Sequence, residues 1–314
     1  MHMAERNVTR IVEFVLLGFT ESPHLQHVLF VFFFLIYLIT VVGNLWFILL
    51  IGSSSQLHSP KYFFLSHLAF LDFCYSSVCI PKLLVNLLTD KKVISYTGCI
   101  LQFALFSMFL TTECFLLAAM AYDRYVAICK PLHYQVTMTT GLCLRLVAGS
   151  YVFGCVTSLT HMGSLLTLSF CGPNIINHYF CDIPVLIQLA CSEVQRNEIL
   201  LLTFSGVTSV TTFVIVISSY FSILNTILKI PCPQGRYKTF STCASHLIVV
   251  TLFYATVIFT YLCSSSAQTS DWAKILSVFY TLLLPVLNLL IYSIRNREAK
   301  EALRKMLQRK ILAQ

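Results

Sequence analysis

Residues 199–228 read ILLLTFSGVTSVTTFVIVISSYFSILNTIL, with Glu198 before them, Lys229 after them and no charged side chain between. A helix needs about 20 apolar residues to cross the hydrocarbon core of a bilayer. The stretch is long enough, and its lack of charge is hard to reconcile with a helix buried in a soluble core. Working outward from it, six more candidates appear. The seven are Leu25–Ile51, Ser59–Ile80, Tyr96–Cys129, Leu142–Leu166, Asn197–Leu228, Thr239–Cys263 and Trp272–Ile294. The fourth has no Asp, Glu, Lys or Arg between Arg145 and Asp182, and the sixth none between Lys238 and Asp271. The expected fold is therefore all-α, a seven-transmembrane helix bundle.

Composition agrees. Of 314 residues, 57% are hydrophobic and 11% charged, against roughly 25% charged in a soluble domain. Neither linker, low-complexity tract nor convincing internal repeat divides the chain. Met1 to Thr20 lacks the order of regions found in a signal peptide, so the first span is expected to act as a signal anchor. Basic residues in short loops set orientation. With the N-terminus outside, 14 Lys and Arg fall on the inner side and 7 on the outer. The expectation is a multi-pass plasma-membrane protein: residues 1–24 extracellular, 25–294 the bundle, 295–314 a cytoplasmic tail. The net charge of +8 then reflects a basic face on anionic lipid, not nucleic-acid binding. Asn7-Val8-Thr9 is a glycosylation sequon, usable if the N-terminus is lumenal. In Arg297–Leu312, Leu303, Met306, Leu307 and Ile311 recur at helical spacing, as in a short amphipathic helix lying on the membrane; a solvated tail is the alternative.

Nine of the 13 cysteines lie within or beside the spans or in a short inner loop, where small apolar packing accounts for them. Cys99, Cys171, Cys181 and Cys191 fall on the outer side, where disulfides form. Three pairings are open to them, and zinc with His178 is a competing use. Two carboxylates lie within the spans, where charge is rare and usually functional. Glu113 stands eleven residues before Arg124, about 16 Å above the inner end of span three. Asp72 reaches a similar depth. The pair would repel unless joined by a cation or singly protonated. A sodium ion with Asn44, Asn288 and Ser66 as further oxygen ligands, and a protonated pair without metal, are both open. No nucleophile and base accompany the pair, so an enzyme is not expected. Interrupted helices and inverted repeats, which a transporter would show, are not evident.

Several short motifs run in order along the chain. Leu57-His58-Ser59-Pro60-Lys61-Tyr62-Phe63-Phe64-Leu65 opens span two, and Met120-Ala121-Tyr122-Asp123-Arg124-Tyr125-Val126-Ala127-Ile128-Cys129 closes span three. Ser219-Tyr220 lies low in span five. Lys238-Thr239-Phe240-Ser241-Thr242-Cys243-Ala244-Ser245-His246 opens span six, and Pro285-Val286-Leu287-Asn288-Leu289-Leu290-Ile291-Tyr292 closes span seven. The outer loop carries Phe170-Cys171-Gly172-Pro173-Asn174 and His178-Tyr179-Phe180-Cys181-Asp182. Together they resemble the signature set of vertebrate olfactory receptors of the tetrapod-type class, within the rhodopsin-like G-protein-coupled receptors.

The resemblance implies an odorant receptor that binds a small odorant inside the bundle and raises cyclic AMP through the olfactory stimulatory G-protein. It implies disulfides Cys99–Cys181 and Cys171–Cys191. It gives Asp123, Arg124, Tyr125, Tyr220, Lys238, His246 and Tyr292 to coupling and activation. Asp123 would hold Arg124 while the receptor is silent, and movement of span six would release it. Three positions depart from the family pattern: Lys61 stands for the usual Met, Leu289 for Pro and Ala255 for Gly. The lost proline restores a backbone donor, so a straighter span seven is expected, and a poorly coupled or non-olfactory chemosensory receptor is the alternative function.

The default ligand site is a pocket between helices above the carboxylates. Phe106, Leu110 and Glu113 share a face of span three, with Ser107 and Thr111 beside it. Tyr254, Val257, Ile258 and Tyr261 form a stripe on span six, and Thr208 and Thr281 add hydroxyls. With no Lys or Arg in this set, the expected ligand is volatile and largely apolar, with one oxygen function.

Overall fold

The computed structural model describes residues 11–171, 173–262, 271–294, 299–302, 304, 305 and 308. The side chains of residues 238, 242, 261, 262, 271–273, 293 and 294 lie outside that description. So do Asn7, the side chains of Lys238 and Tyr261, and Leu303, Met306, Leu307 and Ile311.

Seven helices are long and apolar enough to cross a membrane. Spans one to six are Pro23–Ser53, Pro60–Leu88, Tyr96–Cys129, Thr140–Leu165, Gln195–Leu228 and Pro233–Leu262. Spans one and two carry proline in the first turn, where its missing N–H would lack a partner anyway. Span two runs on through Pro81 to Leu88, past the expected end at Ile80, and span six starts at Pro233, before Thr239. Hydropathy marks only the apolar middle of a span, whereas the helices extend into the polar rim.

The loss of proline at 289 does not make span seven one continuous α-helix. It runs as an α-helix over Asp271–Val278, a π turn over Phe279–Leu283, an α-helix over Leu284–Leu289 and a second π turn over Leu290–Ile294. Pro285 remains, and its ring crowds the carbonyl four residues back, at Thr281. The first π turn widens the helix at that carbonyl. Residues 299–302, 304, 305 and 308 are helical; Ala299 and Ala302 are buried and Lys305 Nζ reaches Gln56 Oε1 at 3.1 Å.

Span three is the central helix, mostly buried, packing on spans two, four, five and six. The outer surface is no less apolar than the core. Leu49, Val207 and Phe221 are 70%, 62% and 65% exposed, which makes sense only against lipid. Small residues permit close approach between spans. A Cβ at Gly154 of span four would overlap the Thr112 side chain and the Met108 carbonyl of span three.

A small sheet in the order β2-β1-β3 lies at one end of the bundle. Strand β1 (Glu13–Leu16) pairs antiparallel with β2 (Val93–Ser95) and parallel with β3 (Ile175–Ile176). Its alternate residues Phe14 and Leu16 are wholly buried beside Phe103 and Ile176, each burial worth about 1.5–3 kcal/mol. The disulfide Cys99–Cys181 ties span three to the loop after span four, and Cys171–Cys191 closes that loop on itself. With all four sulfurs paired, no thiolate remains there for zinc.

Candidate functional site

Three levels of the bundle carry functional side chains. Nearest the sheet, a cavity of ≈ 40 Å³ opens between spans three, four and five. A water needs about 10–15 Å³ on this measure, so the cavity admits a few waters and a larger guest needs its walls to move. Span three lines it with Phe103, Phe106, Ser107, Leu110, Thr111 and Cys114. Span five gives Leu201, Phe204, Ser205, Thr208 and Ser209; Ile183 of the outer loop and Val257 of span six join the lining. Of the residues singled out in the sequence, Phe106, Ser107, Leu110, Thr111, Thr208 and Val257 meet here. Tyr254, Ile258 and Thr281 are not in the lining. The Tyr254 hydroxyl turns to the Cys114 carbonyl at 3.4 Å. Thr281 donates to the Ser277 carbonyl at 2.7 Å and meets the Tyr179 hydroxyl at 2.8 Å.

The sequence did not point to span four, yet Thr157 and His161 line the cavity. They sit four residues apart, on one helical face. Their shared face was the signal available, diluted by Ser150, Ser158, Thr160 and Ser164 on the same span.

The outer loop roofs this level. Gln102 Nε2 donates to the Val78 carbonyl at 3.0 Å, and its Oε1 accepts from the Cys181 N–H at 2.9 Å. One side chain thus joins spans two and three to the disulfide. His178 stacks on Tyr179 and lies 3.3 Å from Ser277 Oγ. Burial, and then the Lys274 charge, push the His178 imidazole down to about 3.

Midway down, Asn288 Nδ2 donates to both oxygens of Asp72, at 3.1 and 3.2 Å, and Asn288 also bonds Glu113. Asp72 and Glu113 are 2% and 6% exposed. Asn44 donates instead to the Thr40 carbonyl and Ser66 to the Phe63 carbonyl, so the donors of those two proposed ligands are engaged within their own helices. Asn288 Oδ1 is buried without a partner. Two carboxylates and an amide carbonyl make an all-oxygen set of the kind a hard cation takes.

At the far end, Arg124 bonds Asp123 Oδ2 at 2.5 Å and the Tyr134 hydroxyl donates to Asp123 Oδ1 at 2.8 Å. The Tyr220 hydroxyl and His246 Nδ1 are 2.6 Å apart, linking spans five and six. Among the described residues, His246 Nε2 and the Tyr292 hydroxyl are buried without partners. Lys130 Nζ lies over the Tyr125 ring and Lys61 Nζ over that of Tyr62. Tyr134 was absent from the sequence-derived set because it falls beyond the motif that closes span three.

Comparison with known proteins agrees with this architecture. The family described as olfactory receptor matches residues 33–310. Olfactory receptor 5J2 of Homo sapiens is 52% identical over 308 residues, covering 98% of this chain and 99% of the relative. Olfactory receptor 5G25 of Mus musculus is 50% identical over 308 residues, covering 98% and 97%. Squid rhodopsin shares the fold with a TM-score of 0.72 at 15% identity, over 91% of this chain and 86% of that one.

Proposed function

The chain belongs to the olfactory receptor family, a multi-pass G-protein-coupled odorant receptor and not an enzyme, and from that premise we propose that its cavity between spans three, four and five is the odorant site and that occupation raises cyclic AMP through the stimulatory olfactory G-protein. The observation that carries this is the cavity itself: an apolar chamber with interspersed hydroxyls, roofed by a disulfide-bound loop and free of Lys, Arg, Asp and Glu. An ionised ligand would lose its hydration there without a counter-charge. A small, neutral, volatile molecule would not.

The N-terminus faces outward and the tail inward on this reading, supported by the distribution of basic residues. In the silent receptor Arg124 is occupied by Asp123, and the Tyr220–His246 bond holds spans five and six together at the same level. An odorant that pushes on Val257 bears on span six. Displacement of that span would part His246 from Tyr220 and give Arg124 to the G-protein, with Tyr125, Lys238 and Tyr292 at the same rim. A sodium ion between Asp72 and Glu113 would take the place that Asn288 Nδ2 fills, with the amide turned to present Oδ1; the two carboxylates that share one amide support it.

The test is cyclic-AMP accumulation in cells that carry the olfactory stimulatory G-protein, against an odorant panel. A dose-dependent response to neutral odorants, absent from Arg124→Ala at equal surface expression, is the expected outcome. Silence to every odorant despite surface expression, or a response that survives Arg124→Ala, would refute it.

A further inference from the structure

Hydroxyl groups around the cavity behave differently from those elsewhere in the bundle. Thr112, Ser150, Thr160, Thr212, Thr256 and Thr260 each donate to the carbonyl four residues earlier, the usual way to satisfy a hydroxyl in an apolar helix. Ser107, Thr111, Thr157, Ser205, Thr208 and Ser209 line the cavity, and among the described residues their hydroxyls have no hydrogen-bond partner.

The histidine follows the same pattern. His161 is 2% exposed and its Nδ1 is buried without a partner. Phe103 and Phe204 approach the ring edge-on at 6.4 and 5.6 Å between centroids. A buried polar atom left unpaired is costly, and buried polar groups in native proteins are nearly always satisfied. Lone hydroxyls can rotate to find partners, but an imidazole packed between two phenylalanines has little freedom. The ring lines the cavity, so a guest there can supply the partner as the walls adjust to it.

We infer that the ligand class is a neutral, compact aromatic compound with two oxygen functions, one of them held by His161 and the other by hydroxyls of spans three and five. A neutral imidazole offers one donor and one acceptor, which matches a phenolic hydroxyl; the carbonyl then falls to the serine and threonine hydroxyls. Ser107 and Thr111 stand on span three and Ser205, Thr208 and Ser209 on span five, so polar partners face the ligand from both sides of span four. Phe103, Phe106 and Phe204 suit a flat ring by offset or edge-on packing. A ligand with a single oxygen would leave most of these groups unpaired. This inference rests on the reading of the cavity as the odorant site, and it makes the ligand more polar than composition alone suggested.

The experiment is thermal denaturation of the purified full-length receptor, titrated with 4-hydroxybenzaldehyde, benzaldehyde, toluene and benzoate. A bound ligand raises the midpoint according to its concentration and affinity. The expected order is 4-hydroxybenzaldehyde, then benzaldehyde, with toluene and benzoate without effect. His161→Phe should weaken 4-hydroxybenzaldehyde at least tenfold and leave benzaldehyde within about threefold. His161→Asn, which keeps a donor and an acceptor, should lie between; it decides the matter if His161→Phe does not fold. Ser205→Trp fills the cavity and should abolish all stabilisation. Unchanged affinity in the His161 variants, with stabilisation lost in Ser205→Trp, overturns the role of His161 and leaves the cavity as the site. Full stabilisation of Ser205→Trp places the ligand elsewhere and overturns the site and the inference together. A wild-type receptor stabilised by toluene or benzoate, or by none of the four, also overturns the inference.

Discussion

The hydroxyl of Tyr134 donates a 2.8 Å hydrogen bond to one carboxylate oxygen of Asp123 while Arg124 holds the other. Asp123 is therefore fixed from two sides, by its neighbour on span three and by the short helix that follows. Burial, and then the Asp123 charge, push the Tyr134 phenol upward, so it stays protonated and able to donate at physiological pH. A hydrogen bond to a charged group is worth about 1.5–3 kcal/mol. If it exists only in the silent state, its loss shifts the equilibrium toward the active state on the order of tenfold. Tyr134→Phe should raise ligand-free cyclic AMP accordingly at matched surface expression. Unchanged basal activity would mean that Arg124 alone restrains Asp123.

Leu289 and Gly43 form a second dependent pair. The Leu289 side chain fills the place that a Cβ on Gly43 of span one would occupy. Gly43→Ala should therefore destabilise the receptor by about 1–3 kcal/mol through overpacking. Leu289→Ala on the same background should recover most of that loss, because residues in direct contact do not add independently. Melting of the four purified variants checks this; additive losses would show that the two side chains do not share the space.

Gln102 bonds two backbone groups, the Val78 carbonyl and the Cys181 N–H. Gln102→Leu keeps the volume but strips both partners within a buried region. Each unsatisfied group costs about 1–3 kcal/mol, so the melting temperature and the surface yield should both fall. Equal yield and stability in Gln102→Leu would assign the join between loop and spans to the Cys99–Cys181 disulfide alone.

His178 gives stability a pH dependence. Its imidazole is held at about 3 in the folded receptor, by burial first and the Lys274 charge second, against about 6.5 when unfolded. Below pH 6.5 the unfolded chain binds the proton and the folded one does not, so stability falls as pH drops and the loss continues down toward pH 3. Between pH 6.5 and 5.5 the loss is about 1 kcal/mol. His178→Phe should remove this residue's share of that slope and make the receptor less acid-sensitive than wild type. An equal acid sensitivity in wild type and His178→Phe, measured by melting at both pH values, would place the titrating group elsewhere.

The seven spans were legible because bilayer solvation imposes uncharged runs such as 199–228, and the sheet was not, because Glu13–Leu16 and Ile175–Ile176 are too short to show a period. The cavity was half legible. Ser107, Leu110 and Thr111 follow from the face shared with Glu113, but Thr157 and His161 depend on how span four docks on span three, which Gly154 allows by admitting Thr112 and Met108. Thr281 looked free in the sequence and is bound by Tyr179, a partner 102 residues away. Leu289 alone does not give span seven a continuous α-helix, because Pro285 still stands after a π turn over Phe279–Leu283.

Cryo-electron microscopy of the receptor bound to an activating odorant locates the ligand. Density is expected between Phe106 on span three, His161 on span four and Phe204 on span five, within hydrogen-bond reach of the imidazole. Density beside Tyr179 and Thr281 at span seven, with the chamber around His161 closed, would contradict that placement.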